Sequence, residues 1–123
     1  MSAESKIYAT LIASTLLTSQ VSTRIYPVAI PQAVAAFPTV VYSRIGGHRI
    51  FTLEGYTGIE DVDIQIDCWA ISYDGAKDLS TRVAAAMTTA KEFVAHLNNN
   101  VDGLDPETGL FRVTHEYSVQ HTE

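Results

Sequence analysis

The most suggestive chemical feature of this 123-residue sequence is a row of aspartates within one predicted strand. Apolar and polar residues alternate from Asp61 to Ser72, which is the pattern of a β-strand with one buried face. The polar face, called the acidic face below, carries Asp61, Asp63, Asp67 and Trp69. Hard cations prefer carboxylate oxygens, but a calcium site takes its ligands from a tightly curved loop, which a straight strand does not provide. We therefore predict an assembly surface or the wall of a lumen here, with a merely solvated face as the alternative.

The four histidines do not form a metal motif. They are His48, His96, His115 and His121, and none of them belongs to an H-x-x-x-H or H-E-x-x-H arrangement. His115 and His121 lie on one predicted strand, and their separation of about 20 Å at strand rise is too large for one ion. We therefore expect no metal site, and we interpret His115 as a packed or interface residue rather than a catalytic base.

The one cysteine and the glycines give no sign of catalysis either. Cys68 falls on the apolar face of the same strand, beside Asp67, so we interpret it as a buried and unreactive side chain. The paired Gly46 and Gly47 lack the G-K-[ST] sequence of a phosphate-binding loop, and no serine sits in a nucleophile elbow. The sequence therefore predicts no catalytic residue, no cofactor and no enzymatic activity.

Helical periodicity occurs twice in the chain. From Ser2 to about Ser19, apolar residues recur every three or four positions, and Ser2 suits the N-cap. A second stripe runs from about Ala76 to Leu97, and the asparagines that follow are expected to end that helix. The residues of this stripe are Leu79, Val83, Ala86, Met87, Ala90, Val94 and Leu97.

Strand patterns fill most of the remaining sequence. Prolines in the segment 21–38 predict a short strand with an ordered loop, and a strand is expected from Thr39 to Arg44. A last strand is expected from Phe111 to about His121. The polar, glycine-containing segment 46–58 is predicted to be a mobile loop or a long hairpin arm that contacts a partner. Its candidate contact residues are Gly46, Gly47, His48, Arg49 and Tyr56.

The order helix, strands, helix, strand predicts an α+β fold with a mostly antiparallel sheet and two helices packed on one face. The length fits one domain over residues 1–123. Eight Lys and Arg against fourteen Asp and Glu give a net charge of −6, which argues against a protein that grips nucleic acid. We expect neither a signal peptide nor a membrane partner, and synthesis in the cytoplasm.

Three stretches, read in order, carry a resemblance to a known family. They are Arg24-Ile25-Tyr26-Pro27 followed by Ile30-Pro31-Gln32; Phe37-Pro38-Thr39-Val40-Val41-Tyr42; and Ile64-Gln65-Ile66-Asp67-Cys68-Trp69-Ala70 running into Ser72-Tyr73, with Ala76 and Leu79 opening a helix. Together they resemble the tail-completion, or tail-to-head joining, proteins of long-tailed bacteriophages. The resemblance extends over nearly the whole chain, from the first helix to the final strand.

The resemblance implies an architectural function in the virion. Proteins of this kind form a ring, commonly a hexamer, at the head-proximal end of the tail tube. The implied partners are further copies of the chain, the tail tube protein and the head connector protein, with genome DNA passing through without specific binding. The resemblance offers no catalytic residue to transfer. The expected location is therefore the tail of a virion assembled in the host cytoplasm.

Two other classes of protein remain open at this point. A head-completion or tail-tube protein of similar size would share the architectural role, although a tube protein would stack indefinitely where a terminator stops at one ring. A small cytoplasmic ligand-binding domain or enzyme is favoured only by the acidic face and the scattered histidines.

Overall fold

The structure is a computed structural model that describes residues 2–31 and 36–123. These residues form an α+β fold, as predicted. Its elements in chain order are α1 (Ala3–Ala13), α2 (Thr15–Val21), β1 (Ile25–Pro27), β2 (Thr39–Thr52), β3 (Gly55–Ala70), α3 (Tyr73–Thr88), β4 (Val94–Leu104) and β5 (Phe111–Thr122). Gln32, which belongs to the resemblance, lies outside the described residues, as does part of the loop predicted among the prolines.

The five strands form one mostly antiparallel sheet, in the order β1-β2-β3-β5-β4. Only β1 is parallel to its neighbour β2. The helices pack on one face of this sheet, because the alternation of β3 and β5 gives that face a continuous apolar surface. The opposite face carries no helix within the described residues, and we call it the open face.

The core confirms the strand patterns read from the sequence. On β3, the apolar residues Val62, Ile64, Ile66 and Cys68 are at most 1% exposed. The residues on β5 that alternate in the same way, including His115, are also buried. Complete burial of one such aliphatic side chain contributes roughly 1.5–3 kcal/mol to folding, so the buried rows of these two strands contribute substantially to stability.

The first helix is divided at Ser14, where the sequence predicted one continuous helix to about Ser19. Ser14 has an extended backbone, with φ −78° and ψ 110°. Its hydroxyl accepts a hydrogen bond from the Leu17 amide at 3.3 Å and so becomes the N-cap of α2. A serine side chain that bonds to nearby backbone amides competes with helix propagation, which explains the division.

The prediction of a helix from Ala76 to Leu97 is wrong at both ends. The helix α3 begins one turn earlier, because the Ser72 hydroxyl accepts a hydrogen bond from the Gly75 amide at 3.0 Å and so caps the helix. The helix already ends at Thr88. Val94 and Leu97 belong to β4, and the asparagines that follow lie inside this strand. The spacing of Val94 and Leu97 suits a helix, but pairing with β5 provides hydrogen bonds along the whole segment.

The segment 46–58 is a hairpin arm, one of the two forms that the sequence allowed. The strand β2 continues past Arg44 to Thr52, and β3 begins at Gly55 after a two-residue connection. Thr52 and Gly55 face each other across the turn, where Gly55 takes a positive φ of 119° that favours glycine. Register shifts between Arg44 and Gly46 and between Arg49 and Phe51 bend the arm.

Candidate assembly surface

The acidic face lies on the open face of the sheet, in the central strand β3. Asp63 is exposed, whereas Asp61, Asp67 and Trp69 are half-buried by neighbouring strands. Strand pairing adds a fourth carboxylate, because Glu116 on β5 stands opposite Gln65. The sequence showed Glu116 on the polar side of its own strand, but only the register of β3 against β5 brings it beside the aspartates.

The aspartates of this row have different surroundings. Asp67 is held in place, since Thr114 Oγ1 donates to it at 2.7 Å and Gln65 Nε2 donates at 3.2 Å. Asp61 Oδ2 lies 3.4 Å from His48 Nε2 in the hairpin arm. Asp63 therefore presents the freest carboxylate of the row to solvent or to a partner.

Trp69 closes one end of the acidic face by stacking with Arg112. The two residues are opposite each other in the β3–β5 register, and the guanidinium carbon lies 5.6 Å from the centre of the indole ring. Gly103 makes room for this arginine, because a Cβ there would lie 3.0 Å from Arg112 Nη2. Arg112 Nε is buried without a hydrogen-bond partner among the described residues, so the pair is held by stacking.

The two glycines at the start of the arm, Gly46 and Gly47, permit close approach of β2 to β3. A Cβ at Gly47 would lie 2.9 Å from the Asp61 carbonyl oxygen, and one at Gly46 would lie 3.3 Å from Asp63 Oδ2. Any side chain at Gly46 or Gly47 would therefore push β2 away from β3, the strand that carries the acidic face. His48 follows these glycines and projects from the open face beside Asp61.

The far end of the arm combines aromatic and charged contacts. Arg49 lies over the Tyr56 ring at 5.3 Å and its Nε donates to a Glu123 carboxylate oxygen at 2.8 Å. Tyr56 donates its hydroxyl hydrogen to the same carboxylate, and partial desolvation together with this bond raises the pKa of Tyr56 to about 12. Phe51 packs against Tyr56 with ring centres 5.4 Å apart, while Leu53 at the turn is fully exposed.

The base of the arm contains a buried polar network that the sequence analysis missed. His121 Nε2 lies 2.8 Å from Glu60 Oε1, and Arg44 donates to the same carboxylate at 3.2 Å. Arg44 also bonds to Glu4, and Lys6 reaches His121 from α1. The hydrogen bond that Glu60 accepts from His121, followed by that from Arg44, lowers the pKa of Glu60. No spacing in the sequence indicated this network, because its members come from four distant segments.

His115 and Cys68 belong to the core and not to this surface. His115 Nδ1 lies 2.9 Å from the Tyr117 hydroxyl, and burial lowers the pKa of His115 and favours its neutral form. Burial also raises the pKa of the Cys68 thiol. Both residues are therefore packing residues, as the sequence indicated.

Within residues 2–31 and 36–123, no three His, Cys, Asp or Glu side chains come together in a group that could hold a metal ion. In the same ranges, no helix is long and apolar enough to cross a membrane.

Comparison with known proteins gives a family and a fold. Residues 5–122 match the family model described as Tail completion protein gp17. The fold is similar to that of a chain in the structure "Virion of native gene transfer agent (GTA) particle", with a TM-score of 0.72 and 18% sequence identity over 98% of this chain and 95% of that chain. No curated protein sequence matches the chain. The family match covers nearly the whole sequence, and the chain therefore belongs to the tail completion protein gp17 family, whose role in the bacteriophage tail is structural.

Proposed function

We propose that this structural protein is a single domain and that several copies of it form a ring at the head-proximal end of the phage tail tube. Rings of this kind are commonly hexamers. The ring stops tube growth and offers a docking surface to the head connector protein, while genome DNA passes through it. The family match supports a tail-completion role. The virion named for the structurally similar chain supports a place within an assembled particle.

The observation that carries this proposal is the open face of the sheet. Helices cover one side of the sheet, while the other side presents Asp61, Asp63, Asp67 and Glu116 in adjacent strands. Among the residues of β3 and β5, the one fixed positive charge is that of Arg112. A ring with this face inward would have a negative wall.

Such a wall suits a passage for DNA. Repulsion between carboxylates and phosphates acts over a distance of about 8 Å at physiological ionic strength, so it is strongest for DNA close to the wall. DNA would then slide without being held, because tight binding requires a basic surface. The net charge of −6 is consistent with this behaviour.

The hairpin arm is the part of the protein best suited to contact a partner. Phe51 is 64% exposed and Leu53 is fully exposed, and both project from an arm with little cover. Aromatic and aliphatic side chains of this kind act as anchors when a partner surface encloses them. We assign the arm to contacts with a neighbouring copy, the tail tube protein or the head connector protein, through Gly46, Gly47, His48, Arg49 and Tyr56 together with its exposed tip.

Tail assembly without this protein tests the proposal. Tubes assembled in its absence should grow beyond their normal length, and added purified protein should cap them with a single ring visible by electron microscopy. Indefinite stacks of the purified protein would instead identify a tube component. Tubes of normal length in its absence, with no ring at their head-proximal end, would overturn the proposal.

A further inference from the structure

The sheet has two long strand edges without a partner among the described residues. One is the outer side of β4, the last strand in the sheet order. The other belongs to β2, since β1 pairs only with Val40 to Tyr42 and leaves the segment 43–52 without a neighbour on its outer side. We call this segment the free edge of β2. Unpaired edges of this length expose rows of backbone N–H and C=O groups that can pair with another chain.

The strand β4 has few of the devices that normally protect such an edge, namely one register irregularity between Leu97 and Asn99 and the carboxylate of Asp102. Proteins that remain monomeric protect their edges with lysine, proline, short strands or a covering loop. The strand β4 is 11 residues long and contains no Lys, Arg or Pro. Four of its nine exposed side chains are apolar, with about half of the surface of each accessible: Val94, Leu97, Val101 and Leu104. The other five are His96, Asn98, Asn99, Asn100 and Asp102, and four of these carry no fixed charge.

The directions of the strands make the two edges compatible. Three successive antiparallel pairings, β2 with β3, β3 with β5 and β5 with β4, make β4 antiparallel to β2 within one copy. Rotation of a copy about an axis along the strands preserves their directions. In such a ring, β4 of one copy therefore meets β2 of the next copy in antiparallel orientation, and the open face of every copy points to the same side.

The charges of the two edges are compatible as well. The free edge of β2 contains Arg44 and Arg49 and no carboxylate. The strand β4 contains Asp102 and no lysine or arginine. Pairing these edges therefore brings no two fixed charges of the same sign together. Repulsion between such charges would oppose the pairing of the strands.

We propose that β4 of one copy pairs in antiparallel orientation with the free edge of β2 of the next copy, so that one sheet continues around the ring. This inference rests on the ring of the proposed function and identifies the surfaces that close it. The contact is heterologous, since two different edges meet, and a heterologous contact can close into a ring of several copies. The helices then lie outside and the acidic faces of all copies inside.

Charged substitutions on β4 test the pairing. A double variant, Val94→Lys with Leu97→Lys, places two flexible cations level with the free edge of β2, and the concentration needed for ring assembly should rise by about tenfold or more. Leu16→Lys is the matched control, because Leu16 is equally exposed on α2. Circular dichroism and thermal unfolding establish that each variant is folded. Native mass spectrometry and electron microscopy then measure ring formation.

Cysteine pairs give an independent measurement. Within one copy, β2 and β4 are separated by three strand spacings, about 14 Å, which exceeds the reach of a disulfide. Val94 is level with His48 across the sheet, through Asp61 and Gln120. Val94→Cys, combined in turn with cysteine at each position of the free edge of β2, should give covalent ladders up to the ring size under oxidation for at least one combination. Cys68 is buried and does not interfere.

The outcomes separate this inference from the ring itself. Rings from the wild type and Leu16→Lys, weakened rings from the double lysine variant, and a disulfide ladder together support edge pairing. Equal ring formation by all three proteins, or the absence of any ladder along residues 43–52, overturns edge pairing and leaves the ring intact. A wild-type protein that is a monomer in solution and in the particle overturns both.

Discussion

Lys6 Nζ lies 3.0 Å from His121 Nδ1, although the two residues are 115 positions apart in the sequence. An ammonium group has no acceptor, so Lys6 donates and Nδ1 accepts. The ring proton therefore resides on Nε2, which donates to Glu60 at 2.8 Å. This series of hydrogen bonds joins α1, β5 and β3 at the base of the hairpin arm. We expect it to set the direction in which the arm leaves the sheet.

The first prediction concerns Glu60, the centre of this network. Glu60→Gln should lower the free energy of unfolding by about 1–3 kcal/mol at neutral pH, because Arg44 and His121 lose the carboxylate to which both donate. The wild type should also lose stability as the pH falls below 4.5, the ordinary pKa of Glu60, towards the lowered pKa of the folded state. The variant should lack this part of the acid dependence in urea titrations. Glu54→Gln, at the exposed turn, is the control, and equal losses in both variants would contradict a role for the network.

The second prediction concerns His115. Burial lowers its pKa from the ordinary value of 6.5, so the unfolded chain takes up this proton more readily than the folded protein. Stability should therefore be fully present above about pH 6.5 and decrease as the pH falls from there to the folded pKa. His115→Gln should remove this decrease between pH 7 and 5 in thermal unfolding. An unchanged pH dependence in the variant would show that the imidazole does not contribute.

The third prediction tests the helix layer. Val83 is fully buried on α3, and an aspartate there would be an unpaired charge inside the core, so Val83→Asp should unfold the subunit. Ala85→Asp, on the exposed side of the same helix, should remain folded and cooperative in circular dichroism. In the facing strand, Ile66→Ala should cost about 2–5 kcal/mol. A soluble, native-like Val83→Asp protein would show that this face of α3 is assigned incorrectly.

The fourth prediction addresses the acidic face. Replacing Asp61, Asp63 and Asp67 together by asparagine should leave ring formation intact and slow the passage of the genome through the tail, because a less negative wall repels DNA less. A matched variant neutralises three carboxylates on the helix side, Asp74→Asn, Asp78→Asn and Glu92→Gln.

Three outcomes of this experiment are informative. Slow or incomplete genome ejection from particles with the acidic-face variant alone supports a lumen. A weaker ring with reduced sensitivity to salt would instead mean that the carboxylates pair with basic residues of a neighbouring copy. Normal rings and normal infectivity would contradict both functions and leave a solvated surface.

The fifth prediction concerns the motion of the hairpin arm, residues 46–58. Apart from Gly58, whose carbonyl accepts from the Glu123 amide, its backbone bonds on one side only, and its side chains are mostly exposed, so amide hydrogens there should exchange rapidly in the free subunit. Exchange should slow after assembly, when a neighbour covers the arm. The strand β5, which is paired on both sides by β3 and β4, is the internal reference, since its amides should be slow in both states. Equal protection of the arm before and after assembly would contradict its role as a contact.

Local patterns in the sequence determined the parts of the fold that depend on periodicity. The alternation of Ile64 and Ile66 with the aspartates was sufficient to assign both faces of β3, because successive side chains of a strand point in opposite directions. The apolar stripe of α3 was correct from Leu79 to Met87 for the corresponding helical reason. The polar and glycine-containing composition of 46–58 also indicated a projecting segment, with the hairpin among the stated possibilities.

Only the tertiary structure decided the elements and contacts that depend on distant partners. Val94 and Leu97 suit a helix by spacing, and they lie in a strand because β5, far along the chain, provides a ladder for them. Glu116 joins the acidic face through the register of β3 and β5, and Lys6 meets His121 because α1 packs beside the last strand. Period and composition describe neighbours in sequence, whereas these contacts arise from the free energy of burying and pairing segments that the sequence separates.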